Sequence, residues 1–208
     1  MEHLASFAGI AVVLLFVAMS PGPAFIVVSQ QAVARSRGAG LVTALGVSVG
    51  SILWVGLVLL GISVVFQQAT WLYAGLRLVG GVYLVYLGVQ LWRGARRSMV
   101  LDGAPGARPL TPWRGFRRAL AVQMLNPKAA VFFGSVFLTM LPAGVPGWVV
   151  AAALVMVFVI EFGWYATVAL ALSSPPARRA YAGAKAWIER VAGAWLALFG
   201  VKLALSSR

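Results

Sequence analysis

SFAGIAVVLLFVAMSPGPAFIVVSQQ, residues 6–31, decides the fold. It carries no charged side chain and exceeds the roughly 20 apolar residues that a helix needs to cross about 30 Å of hydrocarbon. Its middle is interrupted by Ser20-Pro21-Gly22-Pro23, so it reads as a membrane span that cannot be straight. Working outward, five further runs meet the same test: residues 41–66, 71–92, 116–141, 148–172 and 187–205. Trp71, Trp92, Trp148 and Trp187 fall at their edges, where an aromatic belt would put them. The chain as a whole agrees: of its 208 residues 62% are hydrophobic and 10% charged, with mean hydropathy +0.93. That is more apolar surface than a soluble domain of this size can hide. The expectation is an all-α polytopic membrane protein with six transmembrane helices. Glu2 and His3 open the chain without a basic stretch, and no small-residue cleavage site follows, so the first run reads as a retained span.

A formal net charge of +13 would suggest a nucleic-acid partner in a soluble protein. Here the basic residues sit in short clusters between apolar runs, which is a topology signal instead. Arg35 and Arg37 lie in the first connection, seven arginines within residues 93–118 in and around the third, and Arg178, Arg179, Lys185 and Arg190 in the fifth. The second and fourth connections have none. Connections one, three and five are therefore expected on the cytoplasmic side of a bacterial inner membrane, with both termini outside. The chain has no cysteine, which removes disulfides and thiolate metal sites from consideration.

The third connection contains Asp102, Gly103, Pro105, Gly106, Pro109 and Pro112 and divides the chain into a first three-helix half (1–92), a loop (93–115) and a second half (116–208). The halves resemble each other. Gly81-Val-Tyr-Leu-Val-Tyr-Leu-Gly88-Val-Gln-Leu91 aligns without gaps on Gly193-Ala-Trp-Leu-Ala-Leu-Phe-Gly200-Val-Lys-Leu203, and Ser20-Pro21 answers Asn126-Pro127. Because each half has an odd number of spans, a repeat must be inverted across the membrane, an arrangement many secondary transporters use.

Ser20, Pro21, Gly22 and Pro23 in the first span, and Asn126 and Pro127 in the fourth, are the candidate substrate-binding elements. Proline deletes a backbone donor and leaves the carbonyl four residues earlier without its usual partner. Ser or Asn before Pro also starts helices, the polar residue as N-cap and Pro at the first helical position. Two broken helices would present two positive half-helix ends near the midplane, suited to a carboxylate, with freed carbonyls suited to an ammonium; the alternative is a pair of plain kinks. Lys128 follows Pro127 too deep in its span to snorkel, and Glu161 lies midway along the fifth. Centring a charge costs about 2.5–3.5 kcal/mol, so both are functional candidates. Either they neutralise each other, or Lys128 takes a substrate carboxylate while Glu161 carries the coupling ion, a proton, or holds a substrate amine. Arg77 reads as a snorkelling residue, and Gly46-x-x-x-Gly50 as a helix-packing face. Tyr83, Tyr86, Trp164 and Tyr165 are either packing or cavity lining.

Ser20-Pro-Gly-Pro23, Arg37-Gly-Ala-Gly40, Gly81-x-Tyr-Leu-x-Tyr-Leu-Gly88 and above all Leu125-Asn-Pro-Lys-Ala129-x-x-Phe132-Phe133 resemble the LysE/RhtB family of bacterial amino-acid exporters, nearly end to end and in order. The resemblance implies a six-helix exporter of amino acids or their derivatives, driven by an ion gradient, with the two proline motifs at its centre. It implies a small-molecule substrate and membrane lipid as partners, leaves a homo-oligomer open, and calls for no cofactor and no metal. A metal-cation exporter is the alternative transporter, although one buried carboxylate is a thin ligand supply. A non-transporting assembly subunit would account for Gly46 and Gly50 but not for Glu161 and Lys128. An enzyme is disfavoured, since the spans lack His, Cys and paired acids.

Overall fold

The computed structural model describes residues 2–68, 70–96, 110–141 and 145–205. These form eight helices, with no strand among the described residues: α1 (Glu2–Met19), α2 (Pro23–Ala34), α3 (Arg37–Gln68), α4 (Thr70–Gly94), α5 (Pro112–Met124), α6 (Pro127–Met140), α7 (Gly147–Ala171) and α8 (Pro175–Leu205). Most of the expected third connection, and residues 142–144 of the fourth, lie outside the described residues, as does the side chain of Arg77.

Two helices are by themselves long and apolar enough to cross a membrane, Arg37–Gly61 of α3 and Gly147–Ala171 of α7. The α1/α2 and α5/α6 pairs are two further candidates, bent by 58° and 59° at their breaks. The bends fall at the two proline motifs, as the loss of backbone donors there requires. The local chemistry of the two breaks differs. Asn126 caps α6 as its sequence suggests, its side chain accepting from the Lys128 amide at 3.0 Å with Pro127 at the first helical position. Ser20 caps nothing: α2 begins at Pro23 behind an extended Gly22 (φ −150°, ψ −173°). The second proline of Pro21-Gly22-Pro23 occupies the first helical position, which moves the cap past Ser20.

The last helix also departs from expectation. It runs unbroken from Pro175, so Arg178, Arg179, Lys185 and Arg190, assigned above to a connection, all lie on α8. Such a helix is ambiguous in sequence because its first half is basic and its second apolar.

Two apolar clusters make the core. One centres on Phe132, Phe133 and Phe137 of α6 with Ile10 and Leu14 of α1 and Val157 of α7. The other centres on Phe25 and Val28 of α2 with Val47 of α3 and Tyr165 and Val168 of α7. Glycines set the closest helix approaches. Gly46 of α3 abuts the Phe116 backbone of α5, and a Cβ on Gly50 would meet the Gln123 Cβ at 2.8 Å; the face expected to pack does so. Between α4 and α8, a Cβ on Gly81 would meet the Gly200 carbonyl oxygen at 2.8 Å, and one on Gly193 the Gly88 carbonyl oxygen at 2.6 Å. The crosswise pairing makes α4 and α8 antiparallel and backbone-to-backbone, the close approach that small residues permit between helices in lipid. Gly193→Val is therefore expected to cost about 1–3 kcal/mol through overpacking against a carbonyl that cannot yield. A lowered unfolding temperature in detergent checks this; an unchanged one would mean that α4 and α8 separate without penalty.

Candidate functional site

The two helix breaks meet at the seam between the two apolar clusters. A cavity of about 30 Å³ lies there, lined by Ser20 and Gly22 of the first break, Asn126 and Lys128 of the second, and Gln123, Glu161, Phe132, Phe133 and Tyr165 among others. Of the residues singled out in sequence, Ser20, Gly22, Asn126, Lys128 and Glu161 thus come together. Pro21, Pro23 and Pro127 do not line the cavity; their part is to break the helices that carry the residues which do. Tyr165 lines it as well, whereas Tyr86 is exposed and pairs with Tyr83. The volume has room for about one water.

Two of the carbonyls that the prolines release are taken up, each by a side chain from the other half of the chain. Pro21 leaves the Val17 carbonyl without its helical donor, and the Lys128 ammonium donates to it at 3.2 Å. Pro127 does the same to the Gln123 carbonyl, and the Trp54 indole N–H of α3 donates to that oxygen at 3.1 Å. Each break is thereby tied to a residue more than sixty positions away, and the Lys128 bond to Val17 joins the two breaks directly.

Glu161 is 3% exposed. Its carboxylate accepts from the Ser51 hydroxyl at 3.0 Å, and the Ser51 oxygen accepts from the Gln123 side-chain amide at 2.8 Å. No ion pair joins Glu161 to Lys128, whose ammonium is engaged with the Val17 carbonyl. The two charges are therefore not in direct contact. The chain Gln123–Ser51–Glu161 crosses from α5 through α3 to α7, and the Ser51 hydroxyl also has the Val47 carbonyl within reach at 3.3 Å. Gln123 donates its amide N–H, so its carbonyl oxygen is left over, buried and without a partner; the Ser20 hydroxyl is likewise buried and unpartnered. Burying such a group without a partner costs about 1–3 kcal/mol. Two unused hydrogen-bonding groups thus lie at one small cavity, beside a cation, a carboxylate and the N-terminus of α6.

Gln123 went unremarked in sequence. Its signal was there: a polar residue one helical turn before Asn126, on the same buried stripe of α5 as Gly115 and Ala119. Among the described residues no three His, Cys, Asp or Glu side chains come together to hold a metal ion.

Asn126→Ala is expected to lower the transport rate while membrane expression stays near normal. It removes one N-cap, worth about 1 kcal/mol, and one polar wall of the cavity. Wild-type transport in this variant would reduce Asn126 to a helix cap.

Comparison with known proteins gives the site its context. The model of the LysE type translocator family matches residues 15–207. The threonine efflux protein of Escherichia coli (strain K12) is 35% identical over 201 residues, covering 96% of this chain and 98% of its own. That of Salmonella typhi is 33% identical with the same coverage. The leucine efflux protein of Salmonella choleraesuis (strain SC-B67) is 28% identical over 133 residues, 64% of this chain and 61% of its own. No solved structure matches. With the family model spanning nearly the whole chain, the protein belongs to the LysE type translocator family, and is a membrane transporter, not an enzyme.

Proposed function

We propose that the protein is a secondary transporter that exports an amino acid or amino-acid-like metabolite across the bacterial inner membrane in exchange for a proton. The observation that carries this is the meeting of two proline-broken helices around a small cavity lined by Lys128, Asn126 and Glu161. In this reading Lys128, Asn126 and the half-helix ends around Ser20, Pro21, Gly22, Pro23 and Pro127 bind the substrate, and Glu161 carries the coupling proton. The names of the relatives, threonine and leucine efflux proteins, point to the substrate class. A cavity that holds about one water is compatible with an occluded stage, after which the helices must part for cargo to pass.

The same reading takes the chain as six spans in two inverted halves, 1–92 and 116–208 joined by a cytoplasmic loop, with both termini outside. The crosswise contacts of Gly81 with Gly200 and Gly88 with Gly193 support it: equivalent helices meeting at a two-fold axis must exchange contacts in this way. Exposed apolar side chains along both helices, such as Val79, Val82, Leu198 and Leu205, suit contact with lipid. In this cysteine-free chain, single cysteines at Gly38 and Gly147, whose Cβ positions are open, are expected to label from opposite faces of the membrane, Gly38 from the cytoplasm. Labelling of Gly38→Cys from outside intact cells would reverse the orientation.

Uptake of labelled threonine and leucine into inverted membrane vesicles tests the function. Accumulation is expected when the lumen is the more acidic side, with loss when the gradient is dissipated. Accumulation driven by a sodium gradient alone would replace the coupling ion, and transport of neither amino acid under any gradient would sink the substrate class.

A further inference from the structure

The first half of α8 buries a second pair of charges that the site above does not use. Lys185 and Glu189 are 7% and 5% exposed, and the ammonium donates to the carboxylate at 2.8 Å. Both belong to one helix, four residues apart, so the pair clamps α8 to nothing. In structural terms it is superfluous: desolvating two charges consumes most of their attraction, and apolar residues of similar size would serve packing as well.

The position of the pair is informative. Tyr181, Lys185, Glu189, Ala192 and Leu196 recur at helical spacing on one face of α8, and Ala192 and Leu196 are fully buried. Tyr181 stacks on Phe25 of α2 at 5.1 Å and Trp195 on Phe16 of α1 at 5.7 Å. The stretch of α8 between those contacts therefore lies alongside the Ser20–Pro23 break. Tyr181 lies one helical turn before Lys185 on that same face. The Tyr181 hydroxyl is itself buried with no hydrogen-bond partner. On the topology proposed above, this end of α8 is the cytoplasmic one.

We propose that Lys185 and Glu189 form a second binding station, on the cytoplasmic side of the central cavity, for the ammonium and carboxylate of the outgoing amino acid. An ion pair has the charges of a zwitterion: when the pair opens, Lys185 exchanges the Glu189 carboxylate for that of the substrate, and Glu189 exchanges the ammonium for the substrate amine. No net charge is buried in the exchange, and the cargo is desolvated in two steps. The Tyr181 hydroxyl supplies one further hydrogen bond at the station. The inference rests on the amino-acid-export reading and on its orientation.

The test compares the two faces of the membrane, with labelled threonine and leucine as probes. In inverted vesicles, where the cytoplasmic face is outermost, Lys185→Met combined with Glu189→Gln is expected to raise the KM about tenfold or more, the value of one to two charge-assisted hydrogen bonds. In right-side-out vesicles the KM should stay within about twofold, far below the roughly 1.4 kcal/mol that a tenfold change represents. Should the neutral pair fail to insert, Lys185→Glu with Glu189→Lys keeps both buried charges and their attraction but exchanges the two poles relative to the cavity. It too should raise the KM at the cytoplasmic face, whereas a purely structural pair is indifferent to the swap. A wild-type KM at the cytoplasmic face in the inserted variants, or an equal rise on both faces, overturns the proposal while the unmodified protein still transports. If the unmodified protein carries neither amino acid, it is the exporter reading that falls.

Discussion

Glu161→Gln is expected to abolish gradient-driven accumulation of substrate while leaving exchange of substrate for substrate across the membrane. The substitution preserves volume, and it preserves an acceptor for the Ser51 hydroxyl, which now reaches the carboxylate at 3.0 Å. It removes only the ability to gain and lose a proton. A carboxyl that is buried to 3% exposure is held charged at a cost. It becomes useful to a transporter if the cost is relieved by protonation from one side and by substrate or solvent on the other. A glutamine there cannot exchange its way between those states, so uphill transport stops and downhill movement continues. Proteoliposomes carrying an imposed pH difference measure both. If Glu161→Gln still concentrates substrate as the unmodified protein does, Glu161 is a structural polar residue and coupling lies elsewhere.

Lys128→Met is expected to weaken substrate binding itself, so that downhill flux falls together with uphill transport. Methionine nearly matches the lysine in length and keeps the apolar stem, but it donates nothing. If Lys128 binds substrate as proposed, two effects then add. The Val17 carbonyl, freed by Pro21 and now receiving the ammonium at 3.2 Å, loses that donor, and the substrate carboxylate loses its cation. A hydrogen bond to a charged group is worth about 1.5–3 kcal/mol, so the KM should rise about ten- to a hundredfold. Retained affinity with normal flux would show that the lysine serves only to close the break in α1/α2. Separating the two variants matters: loss of coupling with retained exchange belongs to Glu161, and loss of both belongs to Lys128.

How far the site was legible in the sequence depends on the range over which each feature is set. Asn126-Pro127 was readable as a helix start because a cap and its proline are neighbours, and the side chain bonds an amide two residues on. Ser20-Pro21 looks like the same device, yet the following Gly22-Pro23 displaces the helix start by two residues, because two prolines compete for the first helical position. The extent of α8 is illegible in sequence for a different reason. A helix whose first half is basic and whose second half is apolar offers no single period or hydropathy signal, and burial of its Lys185–Glu189 pair depends on the elements that pack against it. Gln123 does not stand out in sequence because one polar residue in a span carries little weight until its neighbours are known.

The sequence alone determined the solvent and the breaks. Long uncharged runs are soluble only in a bilayer, and a proline withholds its N–H wherever the chain places it; both are consequences of covalent composition that no fold can revise. The pairing of glycines was also foreshadowed, since Gly81 and Gly88 recur as Gly193 and Gly200. Only the tertiary structure decided which groups repair the breaks and which are left open. Lys128 finds the carbonyl of Val17, Trp54 that of Gln123, and Ser51 the carboxylate of Glu161, while the Ser20 hydroxyl and the Gln123 side-chain oxygen find nothing. Those partners lie far apart in sequence, and a side chain can satisfy only the group that helix packing brings within about 3 Å of it.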